Sequence, residues 1–223
     1  MIELHGLHKT YGGFHAVKGL DLLVPSGELF CFLGPNGAGK TTTIKMMTGL
    51  VRPDRGFIRI AGLDALARPV EAKRMMGYIP DTPYLYERLT VVEFMRFVGE
   101  LYHVPRGRLA AAVEEQIQVF GLSEKRSSLL KELSHGMRQR VIYGATLLHD
   151  PAVLLVDEPF IGLDPHSIRL IKDLLRERTR RGMTVFMTTH ILAIAEEIAS
   201  RIGIIDRGVL VACGTLDELK ARP

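Results

Sequence analysis

A lysine and a threonine close a glycine-spaced octapeptide, Gly34-Pro35-Asn36-Gly37-Ala38-Gly39-Lys40-Thr41. The pattern Gly-x-x-x-x-Gly-Lys-Thr suits an anion. Its glycines let the backbone curl, so that several N–H groups and a helix N-terminus face phosphate oxygens. Lys40 would reach the β and γ phosphates of a nucleotide, and the Thr41 hydroxyl would sit on Mg2+. The candidate nucleotide-binding positions are Gly34, Asn36, Gly37, Ala38, Gly39, Lys40, Thr41 and Thr42. An apolar strand-like stretch, Leu29 to Leu33, precedes the loop and a helix-like segment follows through Thr48, which is the context the motif requires. A second chemical group lies far downstream. Val153-Leu154-Leu155-Val156 is an apolar strand that ends in Asp157 and Glu158. A buried strand delivers Asp157 toward the phosphate-loop metal, and Glu158 toward a water that it can orient or deprotonate for attack on the γ phosphate.

These groups need a scaffold, and the rest of the chain supplies one. Its 223 residues are 47% hydrophobic and 24% charged, enough for a sizeable core and unlike a disordered or collagen-like chain. Lys and Arg number 29 against 25 acids, a net charge of +4 without a basic run, so no nucleic-acid partner is expected. Strand-like stretches at Ile2 to Leu4, Leu20 to Val24, Leu29 to Leu33 and Phe57 to Ile60 are separated by Gly- and Pro-rich turns. Gly77 to Ile79 adds another strand before Pro80. From Thr90 to about His149 the pattern turns helical: Thr90 to Glu93 is a capping box, and Leu109 to Phe120 is amphipathic. Strands return at Val153 to Val156, Val185 to Thr188, Ile202 to Ile205 and Val209 to Ala212, and a capping box at Thr215 to Glu218 opens a closing helix. The expectation is an α/β core interrupted by a helical lobe. No apolar run approaches the roughly 18 residues of a membrane helix, and the N-terminus lacks the features of a signal peptide, so the chain is expected to stay where it was made. Cys31 and Cys213 lie in strand-like segments and are expected to be buried thiols. His5, His8 and His15 lack a neighbouring carboxylate or thiol set and read as strand or surface histidines.

A guanine-reading Asn-Lys-x-Asp is absent, which argues against a GTPase. Leu133-Ser134-His135-Gly136-Met137-Arg138-Gln139 resembles the Leu-Ser-Gly-Gly-Gln signature of ABC ATPases. Asp157-Glu158-Pro159, Gly162-Leu163-Asp164-Pro165 and Thr188-Thr189-His190 are similar to that family's Walker B, D-loop and switch-histidine segments, in the same order. The resemblance covers essentially the whole chain and looks closest to the ATP-binding subunits of bacterial exporters with ABC-2-type membrane partners. It implies a P-loop NTPase (RecA-like) core, residues 1–80 and 151–223, with an N-terminal antiparallel β subdomain and an inserted helical subdomain, 81–150, that carries the signature. It implies ATP and Mg2+ as cofactors. Tyr11 would stack on adenine and Val17 would also contact the nucleotide. Ser134 and Gly136 would approach the ATP of a second, head-to-tail ATP-binding subunit, and Asp164 would link the two sites. His190 would hold the γ phosphate and position the water beside Glu158. The resemblance also implies a polytopic membrane subunit as partner, with this chain peripheral on the cytoplasmic face of the membrane.

The sequence departs from the family pattern in two places. His135 and Met137 replace Gly and Gln in the signature. At the Q-loop, where Gln is usual, Gly77-Tyr78-Ile79-Pro80 leads to Asp81, which can ligate Mg2+ but adds negative charge beside Asp157 and Glu158. The following Pro83-Tyr84-Leu85-Tyr86 reads equally as core or as a partner-contact loop. Two other classes compete with a transporter subunit. A soluble family ATPase in translation or on chromosomes would show tandem domains or a coiled-coil insertion, and this chain has one site set and no heptad stretch. A regulatory module that binds ATP without turnover conflicts with the intact Lys40, Asp157, Glu158 and His190.

Overall fold

The computed structural model describes residues 1–82 and 84–221. Two sheets share the work of positioning. The first is antiparallel, in the order β2-β1-β4-β5, built from β1 (Ile2–Tyr11), β2 (Phe14–Val24), β4 (Arg55–Ile60) and β5 (Leu63–Asp64). The second, in the order β10-β9-β3-β8-β7-β6, is built from β3 (Leu29–Leu33), β6 (Met76–Ile79), β7 (Val153–Val156), β8 (Thr184–Thr189), β9 (Arg201–Asp206) and β10 (Val209–Gly214). Its strands run parallel except for β10, which pairs antiparallel with β9.

The continuous apolar runs of β3, β7 and β8 follow from burial on both faces. Successive side chains alternate between two cores. Phe30, Phe32, Leu155 and Phe186 face the antiparallel sheet, where Phe30 and Phe186 stack with ring centres 5.6 Å apart. Leu29, Cys31, Leu154, Val156, Val185 and Met187 face the helices. Between β6 and β7 lie α3 (Val91–Leu101), α4 (Arg106–Val119) and α5 (His135–Leu147). The capping box on Thr90 opens α3, with the Thr90 side chain accepting from Glu93 N and the Glu93 carboxylate accepting from Thr90 N. No helix is long and apolar enough to cross a membrane, among the described residues.

The structure extends the sequence reading in several places. The strands expected at Ile2 to Leu4 and Leu20 to Val24 are the ends of one long hairpin, β1 and β2, that turns at Gly12-Gly13. Its middle carries His8, Lys9, His15 and Lys18 and three register irregularities, so no clean two-residue alternation marks it. Four further elements, β5, α2 (Pro69–Arg74), α6 (Pro165–Arg180) and α7 (Leu192–Ile198), carry no such signal, although the basic stretch Arg176 to Arg181 in the sequence reads as a solvated helix end. Cys31 is buried, whereas Cys213 is only partly buried, with Arg201 Nη2 donating to its Sγ at 3.2 Å. Among the described residues no group of three His, Cys, Asp or Glu side chains converges as a metal cluster. His5 instead pairs with Asp21 at 2.6 Å, and His8 and His15 bond Gly6 O and Thr10 Oγ1.

Candidate functional site

Parallel strands end together, and their ends carry the chemistry. Leu33 of β3 is in register with Thr189 of β8, Val156 of β7 with Met187, and Ile79 of β6 with Val156. Four segments therefore emerge side by side: the glycine loop, Asp157-Glu158, Thr188 to His190, and Asp81. The loop runs into α1 (Lys40–Met47), whose ladder begins with Thr43 N–H donating to Gly39 O at 2.9 Å. The amides before it are those an incoming anion can use. Gly34 must be glycine, because a Cβ there would fall 2.3 Å from Ile205 O of β9.

A cavity of about 350 Å3 opens over this loop, lined by Asn36, Gly37, Gly39, Lys40, Thr41, Thr42, Asp81, Glu158, Ile161 and His190, with Tyr11, Phe14 and Ala16 at its other end. Tyr11 is half exposed, and Lys9 Nζ lies 5.4 Å from its ring centre. Of the positions expected around the phosphate loop and the base, Val17, Gly34 and Ala38 do not line it. Val17 is buried in the core between the sheets and its neighbour Ala16 faces the cavity instead. Gly34 and Ala38 hold the loop from behind, Gly34 N donating to Thr189 O and Ala38 O accepting from Gly208 N. Phe14, Ala16 and Ile161 were missed by sequence reasoning. Phe14 was legible as the residue after Gly12-Gly13 that must face Tyr11 across the hairpin, and the pair is in register.

The charged groups are tightly meshed. Lys40 is nearly buried; its Nζ donates to Gly34 O at 2.8 Å and Pro35 O at 3.2 Å, and lies 3.3 Å from Glu158 Oε1. Glu158 Oε2 is 3.1 Å from His190 Nδ1. Glu158 also has φ of 47°, a left-handed backbone that a non-glycine residue adopts at a cost and that aims its carboxylate across the cavity. Thr188, fully buried, ties the two acids: its Oγ1 donates to Asp157 Oδ1 at 2.5 Å and accepts from Glu158 N at 3.1 Å. Burial pushes the Asp157 carboxyl above the usual carboxylate range, hydrogen bonds from Thr188 and Thr41 oppose this, and the charges of Asp81 and Glu158 add to the rise. The same burial, with Asp157 and Asp81 adding, lifts the Tyr78 phenol to about 12.

The fit of Mg2+ can be tested on the donor set. Thr41 and Asp157 offer hard oxygens, the kind Mg2+ takes alongside phosphate and water. Asp157 Oδ2 is buried with no hydrogen-bond partner, an acceptor left for a cation. The residues fit. Asp81 lines the same cavity, exposed, with its Oδ1 accepting from Thr82 N, and it acts on Asp157 through its charge.

Ser134 and Gly136 do not line this cavity. Ser134 caps α5, accepting from Met137 N at 3.3 Å. Gly136 lies against Asp164, which caps α6 by accepting from Ser167 N at 2.9 Å and from Ser167 Oγ at 2.7 Å. Those two bonds hold the Asp164 carboxyl below the usual range. Of the loop after Pro80, Pro83 lies outside the described residues. Leu85 packs against the core, but Tyr84 is 97% exposed and Tyr86 60% exposed, the latter edge-on to Phe97.

The sequence profile of the family described as "ABC transporter" matches residues 17–161. The chain is 37% identical over 222 residues to the linearmycin resistance ATP-binding protein LnrL of Bacillus subtilis, covering 100% of this chain and 71% of that one. It is 41% identical over 220 residues to the daunorubicin/doxorubicin resistance ATP-binding protein DrrA of Streptomyces peucetius, covering 99% and 67%. A solved ATP-binding subunit of an ABC transporter superposes with a TM-score of 0.92 at 34% identity, covering 99% of this chain and 92% of the other.

Proposed function

Because this chain belongs to the ABC transporter family as an ATP-binding subunit, we propose that its phosphate-loop cavity is where it hydrolyses ATP and that the hydrolysis drives export. The observation that carries the site assignment is the convergence of Lys40, Glu158 and His190 over the glycine loop, with contacts of 3.3 and 3.1 Å to the two Glu158 oxygens. The loop amides and Lys40 bind the β and γ phosphates, and Tyr11 and Phe14 flank the base. As the γ phosphate arrives, Lys40 exchanges its Glu158 contact for phosphate oxygens, which releases the carboxylate. Glu158 then takes a proton from water as the water oxygen bonds to the γ phosphorus and the bond to the β–γ bridging oxygen breaks. ADP and phosphate result. His190 orients the γ phosphate and the water. Mg2+, held by Thr41 and through Asp157, would supply charge neutralisation across the phosphates.

The signature residues Ser134 and Gly136 stand away from the chain's own loop, which supports a head-to-tail pair in which each serves the other copy's ATP. The helical segment 81–150 then acts as a lobe on the core formed by 1–80 and 151–223. The resistance functions in the names of LnrL and DrrA support export as the direction. With no membrane-spanning helix among the described residues, the pathway belongs to a polytopic partner at the cytoplasmic face of the membrane. Glu158→Gln tests the chemistry. ATP binding by calorimetry should persist, hydrolysis should fall at least about 100-fold, and the variant should accumulate as an ATP-bound dimer. Wild-type turnover would rule out the assigned base.

A further inference from the structure

The nucleotide cavity sits where the parallel strands end. Where β7 and β8 begin, at the other end of the sheet, a second cavity of about 400 Å3 opens. One wall is α4 of the helical insertion, which presents Arg108, Glu115 and Gln116 on one face. The other wall belongs to the core, with Asp150 before β7 and Arg178 and Arg181 around the end of α6. The remaining side chains on the wall are apolar. The polar groups are poorly matched to one another. The Arg178 side chain is only 16% exposed, yet it makes no hydrogen bond among the described residues, and its counter-charge, Asp150 Oδ1, stands 3.6 Å away. A guanidinium so enclosed costs stability unless its N–H groups find acceptors. Arg108 and Glu115 form no ion pair among the described residues, and seven helical residues set their backbones about 10 Å apart. Arg181 pairs with Glu177, one turn back on its own helix. Gln116 is 4% exposed, and its Oε1 is buried with no hydrogen-bond partner. Such an atom lacks the donor that would offset its burial.

We propose that this cavity binds an acidic α-amino acid, a small molecule with two carboxylates and one ammonium, at a site separate from that of ATP. The carboxylates supply the acceptors that Arg178 and Arg108 lack, and a planar guanidinium takes a carboxylate through two parallel N–H bonds. The ammonium supplies the donors that Glu115 and the Gln116 oxygen lack. Turning the Gln116 amide about its soft last torsion brings that oxygen to the ligand. The wall carries three guanidiniums against two carboxylates, and the single net negative charge of such a ligand offsets the excess. A simple anion would leave Gln116 unsatisfied and set its charge beside Glu115. A cationic or apolar molecule would leave Arg178 without acceptors. Because α4 belongs to the helical insertion and α6 to the core, the bound molecule bridges the two.

The test uses the whole chain saturated with MgADP, so that the phosphate loop is occupied, and calorimetric titration with L-glutamate and L-aspartate. The controls are glutarate and succinate, which lack the ammonium, and glutamine and asparagine, which lack the second carboxylate. Saturable binding of an acidic amino acid is expected, with its two controls each at least about tenfold weaker, the low end for losing a charge-assisted hydrogen bond. Arg108→Ala should weaken the amino acid by a similar factor. Glu115→Gln should weaken the amino acid and leave the analogue without an ammonium no worse bound. Both positions are exposed on α4. Nitrogen–proton NMR of the wild-type chain gives an answer that needs no substitution: the Gln116 side-chain amide and the Gly182 backbone amide should shift on titration. Absence of saturable binding, equal affinity for the analogue without an ammonium, affinity that survives both substitutions, or shifts confined to the phosphate loop would overturn the proposal.

Discussion

Asp157 shows most directly how one residue's surroundings set its behaviour. Its carboxyl is raised by burial, so ionised Asp157 costs the folded chain stability once the pH lies above its raised pKa, and the cost vanishes below the ordinary value of 3.8. Between the two, the native state holds the proton more tightly than the unfolded chain, and stability falls as pH rises. Asp157→Asn should therefore raise the urea midpoint of the nucleotide-free protein at neutral pH, with the gain shrinking toward pH 4. It should also lose the extra stabilisation that Mg2+ adds to bound ADP. A variant less stable than wild type at neutral pH would contradict the sign. Lys40→Ala removes the cation that caps the loop carbonyls and, in the proposed function, meets phosphate, so MgATP affinity by calorimetry should weaken about tenfold or more. The sequence showed these residues because the glycine loop and the acid-tipped strand have few other uses. It did not show that Thr188 bridges both acids or that Lys40 rests against Glu158, since both contacts join segments remote in sequence. Val17 was misplaced for a related reason: neighbouring residues in a strand face different environments, and register in an irregular hairpin is set by pairing.

At the scale of elements, helix starts were the most legible features and also offer clean perturbations. Thr90→Ala removes the side-chain acceptor for Glu93 N and one partner of the Glu93 carboxylate, and should cost about 1 kcal/mol in chemical denaturation. A stability unchanged within error would mean that α3 is held by packing alone. The signature helix is a different case. At Gly136 a Cβ would lie 2.7 Å from Asp164 Oδ2 and 3.0 Å from Ser167 Oγ, so Gly136→Ala must push α5 from the cap of α6. That variant should keep nucleotide affinity while losing ATP-driven dimerisation, read by size-exclusion chromatography of the Glu158→Gln background. Capping boxes at Thr90 and Thr215 were visible because they are local in sequence. The long hairpin of β1 and β2 was seen only at its apolar ends, because its polar middle is stabilised by cross-strand pairing that alternation does not record. α6 was seen only at its basic end, although Asp164-Pro165 is a sound helix opening, the aspartate as cap and the proline at the first turn.

At the scale of the whole molecule, the expected α/β core with a helical insertion is the observed architecture, because strands buried on both faces announce themselves as unbroken apolar runs. What the sequence left open was the loop after Pro80, where the same aromatic residues serve a core or a contact. Their exposure excludes the core reading for the two tyrosines. Replacing Tyr84 and Tyr86 with Ser should leave the fold and nucleotide binding intact and weaken recovery with the membrane fraction, each ring contributing roughly 2 kcal/mol if it lies at an interface centre. Unchanged recovery would place the coupling surface elsewhere. β3 has a further consequence for how this molecule can change over generations. Each of its side chains presses into one of two cores, and its last residue hands the chain to the phosphate loop. A replacement there cannot be absorbed on one side without being felt on the other and at the catalytic loop. In a saturation library scored for growth, tolerance should therefore drop sharply along these five positions and recover within the polar hairpin of β1 and β2, so that this short strand acts as the chain's evolutionary anchor while its rim is free to drift.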